Sequence, residues 1–256
     1  MEYAIVTGAS GGIGECFARA LAARRHPIVL VARSGDKLQA LAEELTKRHG
    51  IQTQSIALDL SEPDAAQNLF QRLQEKQIEV SLLVNNAGFG AQGRFWEIAL
   101  ERQAQMIRLN IQALLELTYL LLPSMVKKRR GGVINVSSTA SFQPLPYTSV
   151  YAASKAFVTS FSTGLAEELR PYGIKVVTLC PGTTRTNFFD AGKFKSMNLR
   201  VAFQAPEAVA AAALKKLDRG GGLVLSRKMD NVLLFGERLL PRRWVARLTA
   251  GIFKVK

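Results

Sequence analysis

Short apolar runs alternate with longer stretches of helical periodicity along nearly the whole chain, and this alternation restricts the fold more than any other feature. The apolar runs lie at Ala4–Thr7, Ile28–Val31, about Thr53–Leu58, Val80–Val84, Val133–Val136, Lys175–Leu179 and Leu223–Leu225. Between them, helical spacing is read over Ile13–Arg25, about Asp36–His49, Pro63–Lys76, about Glu101–Val126, Tyr151–Arg170 and Pro206–Leu217. Strands that are apolar on both faces belong in a parallel sheet with helices on both sides. Right-handed crossovers then give a doubly wound α/β fold, whose ligands sit beyond the carboxyl ends of the strands. No repeat or Gly/Pro-rich linker divides the chain. One domain is expected over residues 1–226, followed by a basic extension over 227–256.

Composition removes several function classes. Cys16 and Cys180 are too few and too far apart for a disulfide framework, and neither lies in a Cys/His cluster. His26 and His49 are the only histidines, which supplies a metal site or a Ser-His-Asp triad poorly. No metal is expected. Thirty-four Lys and Arg against twenty Asp and Glu give a net charge of +14, which attracts nucleic acid, anionic lipid or phosphorylated ligands without choosing among them. No recognised nucleic-acid module accompanies the charge, so no nucleic-acid partner is expected. No unbroken run of 18 apolar residues is found. The densest stretch, Ala113–Val126, is interrupted by Glu116, so no spanning helix is expected. The amino-terminal residues lack a basic segment and cleavage site, and a cytoplasmic protein is expected.

Between the first strand and helix stands Thr7-Gly8-Ala9-Ser10-Gly11-Gly12-Ile13-Gly14. A dinucleotide's pyrophosphate must approach backbone N–H groups at a helix N-terminus, where side chains at Gly8, Gly12 or Gly14 would obstruct the turn or the approach. The strand–turn–helix context makes this a Rossmann-like dinucleotide site. The second strand ends in Ala32-Arg33, where a carboxylate would serve the ribose 2′-hydroxyl of NAD. Arg33 instead attracts a 2′-phosphate, with a charge pair at 4 Å worth about 4 kcal/mol before screening. NADP(H) is the expected cofactor. Asp59-Leu60 after the third strand reads either as an adenine contact or as a plain turn.

Asn85-Asn86-Ala87-Gly88 follows the fourth strand, and these small and amide residues suit ribose contacts or a backbone bridge. Ser137-Ser138 ends the fifth strand. Tyr151 and Lys155 follow at i and i+4, on one helix face. Reducing a carbonyl with hydride leaves an oxyanion that must gain a proton. A free tyrosine titrates near 10, so a cation at Lys155 and an oxidised nicotinamide are expected to depress Tyr151. Ser138 is placed to donate to the developing oxyanion. Asn110, in the long helix, is a candidate to hold a water on the way to Lys155.

Taken together these motifs resemble the short-chain dehydrogenase/reductase family in its single-domain form. The match runs through Thr7 to Gly14, Asp59, Asn85 to Gly88, Asn110, Ser138, Tyr151, Lys155 and Pro181-Gly182, over about residues 3–225. The resemblance implies a catalytic tetrad of Asn110, Ser138, Tyr151 and Lys155, with Lys155 also on the nicotinamide ribose. It implies cofactor contacts from Gly8, Ser10, Gly12, Ile13, Gly14, Arg33, Asp59, Leu60, Asn86, Ala87, Gly88, Tyr151 and Lys155. Pro181, Gly182, Thr183 and Thr186 are implied to flank the nicotinamide. A homodimer through the helices near 101–126 and 151–170, or a tetramer, is the family's expectation.

Two segments extend the reading toward substrate and partners. Phe142–Pro146 edges the expected substrate site, and Phe188, Phe189, Phe194 and Met197 stud a loop, about 183–205, that reads as a substrate lid or as core cover. Both suit an apolar carbonyl or alcohol substrate: a ketone, a ketoacyl chain or a steroid-like molecule. Residues 232–256 carry six basic residues and one acid, with Leu240, Trp244, Leu248 and Ile252 at four-residue spacing. Such a helix docks its stripe on the body, meets a second subunit, or lies peripherally on the inner surface of an anionic membrane. A non-catalytic cofactor-binding scaffold is the other class these motifs allow.

Overall fold

A computed structural model describes residues 1–192, 194, 203–227 and 241–253. Met197, Leu240 and Lys254 lie outside the described residues, as does any boundary between domain and extension near 227. Seven parallel strands form one sheet in the order β3-β2-β1-β4-β5-β6-β7. They are β1 (Glu2–Thr7), β2 (Ile28–Ala32), β3 (Thr53–Ala57), β4 (Glu79–Asn85), β5 (Gly131–Val136), β6 (Ile174–Cys180) and β7 (Gly222–Leu225). The order reverses at β1, where the chain crosses from one half of the sheet to the other. The doubly wound fold expected from the apolar alternation is therefore present.

Burial on both faces explains the unbroken apolar strands. In β1, Ala4 and Val6 point to one side with Phe17, Leu21, Leu38 and Leu45; α1 (Gly12–Ala23) and α2 (Gly35–His49) cover that side. Tyr3 and Ile5 point to the other, with Leu69, Leu73, Leu117 and Leu121. There α3 (Ala65–Glu75), α5 (Leu114–Lys128) and α6 (Ser149–Leu169) lie on the sheet. The alternation repeats in β2, where Ile28 and Leu30 face α1 while Val29 and Val31 face away.

The expected long helix over 101–126 is one rod built in three parts. It comprises α4 (Leu100–Ile107), a π-helical turn over Arg108–Ala113, and α5. Its 29 residues include an 18-residue window of mean hydropathy 1.3, so by length and composition alone it could cross a membrane, a test that buried core helices also pass. Here its apolar side is spent on the sheet: Met106, Ala113, Leu114, Leu117, Leu121 and Met125 are buried.

After β6 come a short helix α7 (Phe188–Ala191), then α8 (Pro206–Asp218) and α9 (Arg242–Phe253). In α9 the Trp244–Leu248 stripe faces outward and is not docked on the body, one of the three readings left open for it. Val245 and Thr249 are buried, whereas Trp244 and Leu248 are 52% and 63% exposed. Val/Thr and Trp/Leu pairs both recur at i, i+4, and the docking side is the smaller pair, where Thr249 Oγ1 donates to the Pro144 carbonyl at 3.0 Å.

A buried polar chain fixes the helices to the strands beneath the site. Asn85 and Asn135 are register partners in β4 and β5. Asn85 Nδ2 donates to Asn135 Oδ1 at 2.9 Å and to Thr118 Oγ1 at 3.1 Å, and Asn135 Nδ2 donates to Ser162 Oγ at 2.9 Å. Removing one member strands the others out of water. Asn135→Ala is expected to cost about 2–4 kcal/mol in urea unfolding. An unchanged midpoint would show the chain to be dispensable.

Candidate active site

The carboxyl ends of β1 and β4 are clamped together by side chains. Thr7 Oγ1 donates to the Val84 carbonyl at 3.2 Å and accepts from the backbone N–H groups of Asn86 and Ala87 at 2.9 and 3.0 Å. Asn86 Nδ2 returns a bond to the Thr7 carbonyl at 2.9 Å. The Asn86 amide thus serves as the backbone bridge of the two uses its sequence allowed.

This clamp holds the glycine turn open toward the sheet edge. Gly8 and Gly12 have φ of +66° and +58°, where other side chains are strained. A Cβ at Gly14 would collide with the Gly8 carbonyl oxygen, while one at Gly11 would project into open space. No side chain caps α1, so its first N–H groups face that space. The cradle fits a diphosphate: it offers donors, a positive helix end and no obstructing Cβ. Ser10 is half-buried on the turn, and Ile13 packs down against the core beneath α1. The Thr186 methyl lies 3.0 Å from where a Gly12 Cβ would be, so Thr186 reaches the turn from the far side of the sheet.

At the β2 and β3 ends, Arg33 is 74% exposed, with Nη1 3.7 Å from Asp59 Oδ2. The other Asp59 oxygen accepts from Ser61 N and Oγ at 2.9 and 2.7 Å, a turn-closing use. Leu60 is buried in the core. Sequence reading missed Arg102 on α4, whose guanidinium carbon sits 3.9 Å above the Phe89 ring. Burial, and next the positive Arg33 nearby, hold Arg102 below its ordinary proton affinity. Two arginines from distant segments therefore share one rim, and only the fold brings them together.

Tyr151, Lys155, Ser138 and Asn110 converge on the edge between β4 and β5. Lys155 is buried; its Nζ donates to the Val136 carbonyl at 2.8 Å and lies 6.0 Å from the centre of the Tyr151 ring. Gly88 makes room for this approach, since a Cβ there would fall 2.9 Å from Asn110 Oδ1 and 3.4 Å from Lys155 Nζ. Ser137 holds the helix in place, its Oγ donating to the Lys155 carbonyl at 2.8 Å. The Asn110 side chain is fully engaged. Its Nδ2 donates to the Phe89 carbonyl and Ser154 Oγ, both at 3.0 Å, and its Oδ1 accepts from Phe89 N at 3.1 Å. The π turn that carries Asn110 breaks the regular i→i−4 pairing of the helix.

Burial dominates titration in this site. Burial pushes Tyr151 up to about 12, against a smaller downward pull from a Ser138 hydrogen bond. Lys155 is pushed down to about 8, also by burial. The protein alone does not depress the phenol, because desolvation outweighs the Ser138 hydrogen bond. Part of that cover is aromatic. The Phe188 ring centre is 5.4 Å from that of Tyr151, and Phe189, Phe194 and Phe203 follow at 5.4–6.0 Å from one ring to the next.

The post-β6 segment closes this edge. The Pro181 carbonyl accepts from Thr139 N at 2.9 Å, Thr184 Oγ1 donates to the Gly182 carbonyl at 2.9 Å, and the Thr183 carbonyl accepts from Gln204 N at 2.9 Å. A neighbouring cavity of about 280 Å³ is lined by Phe95, Trp96, Gln103, Met106 and the first turn of α6, one residue short of Tyr151.

Known proteins resemble this chain in sequence and in fold. The chain is 33% identical to the very-long-chain 3-oxoacyl-CoA reductase of Aspergillus clavatus over 223 residues, 86% of this chain and 63% of that one. It spans under two thirds of the length of that reductase. Identity to the hydroxysteroid dehydrogenase-like protein 1 of Gallus gallus is 32% over 247 residues, 95% of this chain and 73% of that protein. A short-chain dehydrogenase from Sphingobium yanoikuyae, solved in complex with NADPH, superposes with a TM-score of 0.84 at 32% identity, covering 93% of this chain and 94% of its own. Residues 2–196 match the short chain dehydrogenase family, and the chain belongs to it.

Proposed function

We propose that the chain is an NADP(H)-dependent oxidoreductase that interconverts an apolar ketone, ketoacyl or steroid-like substrate with its alcohol. The observation that carries this reading is the meeting of Ser138, Tyr151, Lys155 and the π turn at Gly88, beside an open glycine cradle. Gly8, Gly11, Gly12, Gly14 and the α1 N-terminus would hold the diphosphate. Arg33 and Arg102 would meet the 2′-phosphate, Asp59 would border the adenosine, and Gly182 to Thr186 would flank the nicotinamide. A bound reduced nicotinamide supplies the hydride. Tyr151 then gives its phenolic proton to the carbonyl oxygen, and Ser138 donates a hydrogen bond to the same atom as charge develops there. Lys155 orients the ribose and reprotonates the phenol through a water path at the π turn. The reductase, hydroxysteroid dehydrogenase-like and NADPH-bound names among its relatives support the substrate class and cofactor. A homodimer through α5 and α6 fits the exposed Leu115, Tyr119 and Phe157 on those helices.

Turnover is tested by NADPH oxidation over aliphatic ketones, ketoacyl thioesters and steroid ketones. Tyr151→Phe is expected to lower kcat about 10²–10⁴-fold while cofactor binding persists. Undiminished turnover would remove Tyr151 from its role, and cofactor binding without turnover of any substrate would favour the scaffold reading.

Cofactor choice is read by titrating protein fluorescence with NADPH and NADH. Arg33→Ala and Arg102→Gln are each expected to weaken NADPH about tenfold, the worth of one charge-assisted contact, and to leave NADH nearly unchanged. Equal losses for both cofactors would sink the 2′-phosphate assignment.

Lys155 links stability to pH. Its folded value near 8 lies below the ordinary 10.5, so the charged form is penalised by roughly 3 kcal/mol below pH 8. That penalty fades between about 8 and 10.5. Lys155→Met is expected to abolish turnover yet melt no lower than the parent at pH 7, with any advantage shrinking by pH 10. A variant clearly less stable at pH 7 would show that the Val136 bond outweighs the buried charge.

A further inference from the structure

The described surface holds two exposed aromatic and aliphatic groups that the reaction site does not use, and they flank one loop. On α9, Trp244 and Leu248 are 52% and 63% exposed. At the start of α4, Phe95, Trp96 and Leu100 are 61%, 78% and 79% exposed. Single exposed apolar residues are ordinary, but five large ones, two of them tryptophans, in two neighbouring segments are not.

Hydrogen bonds fix the two segments to the same place. Thr249 Oγ1 donates to the Pro144 carbonyl at 3.0 Å, and Gln92 Nε2 donates to the Phe253 carbonyl at 2.9 Å. The Gly93 N–H donates to the Tyr147 carbonyl at 2.9 Å, which ties the turn leading to Phe95 and Trp96 onto that 144–147 loop. Phe253 also packs in the small cluster of Ala140, Leu145 and Ala152 that Tyr151 joins. Both groups therefore sit at the rim of the site holding Tyr151.

We propose that this rim, formed by α9 and the 94–100 turn, docks onto an anionic lipid bilayer. Helix α9 is built for an interface. Val245 and Thr249 bind the body, while one position back Trp244 and Leu248, and two back Arg243 and Arg247, occupy the outer side with Arg242 exposed beside them. The helix contains no acid. At the other group, Glu97 is paired with Arg94 at 3.0 Å and Glu101 with Arg108, so neither carboxylate is left to repel a negative surface. The whole chain adds a net +14. Indole rings and arginines side by side suit the headgroup layer, where the ring enters the apolar boundary and the guanidinium meets phosphate.

Charge decides against the other occupants. A two-fold contact centred on α9 would bring a face with three arginines and no acid against a copy of that same face. Nucleic acid would satisfy the arginines but leave Leu248 and Leu100 unburied. Docking in this orientation turns the Tyr151 rim toward the phase where apolar molecules dissolve. The docking does not rest on the reaction proposed above, and its test needs no turnover.

The test is flotation of the full chain with phosphatidylcholine vesicles, plain or containing about a third phosphatidylserine, at low and high salt. The expected result is about tenfold more protein floating with the anionic vesicles, most of it released by high salt. Arg243→Glu/Arg247→Glu and Trp244→Ser/Leu248→Ser are each expected to reduce flotation about tenfold while keeping the parent's melting temperature. Equal, low flotation with both vesicle types overturns the proposal. So do folded variants that float like the parent. Sedimentation showing that both variants split a dimer which never floats assigns the face to a second copy instead.

Discussion

A lysine ammonium taken out of water is the constraint around which the carboxyl edge of the sheet is organised. Lys155 is 5% exposed, and the Val136 carbonyl is its recorded hydrogen-bond partner. An unpaired ammonium at such depth is costly, so the surroundings must keep one strand end within reach of it. Ser137 does so by holding the backbone of Lys155 itself, and the Asn85–Asn135–Ser162 chain holds α6 lower down. Gly88 lets β4 approach without pushing the lysine aside. A polar framework that looks like ordinary strand–helix bonding thus fixes the position of one charge.

The same edge also has to stay open. Asn86 and Thr7 lock β1 to β4 from beneath, and rigidity there lets a turn with two left-handed glycines keep its shape without side chains filling it. The aromatic segment above is built differently, from ring-to-ring contacts of Phe188, Phe189, Phe194 and Phe203. Gly90 accommodates it, since a Cβ there would touch both Phe188 and Phe194 at 3.0 Å. Apolar contacts lack the directionality of hydrogen bonds, so a cover of this kind yields to differently shaped apolar molecules where the clamp below does not.

How much of this could be read from the sequence follows from whether a signal is local. The strands were legible because two-sided burial leaves unbroken apolar runs, and Tyr151 and Lys155 because i, i+4 places them on one face. The glycine turn was legible because its strand–helix context is contiguous. The π turn was not: Arg108 to Ala113 contain neither Gly nor Pro and read as plain helix. Arg102 could not be tied to Arg33, since 69 positions separate them and only the sheet order brings their segments to one rim. For α9, periodicity found an amphipathic helix but not its direction. Val/Thr and Trp/Leu pairs have the same period, and the choice fell to the Thr249 hydroxyl reaching Pro144. Spacing put Lys155 beside Tyr151 but says nothing of desolvation, and the expected depression of the phenol drew on an oxidised nicotinamide as well as on the lysine.

Desolvation bears on the chemistry. Burial moves Tyr151 and Lys155 in opposite directions, to about 12 and about 8, because it opposes charge on either group. A phenol near 12 keeps its proton throughout the neutral range, which is the form a donor to a carbonyl oxygen must have. The reverse reaction needs the phenolate, which the protein alone disfavours. Running it toward the ketone draws on positive charge beside the ring, which Lys155 and a bound oxidised nicotinamide would supply.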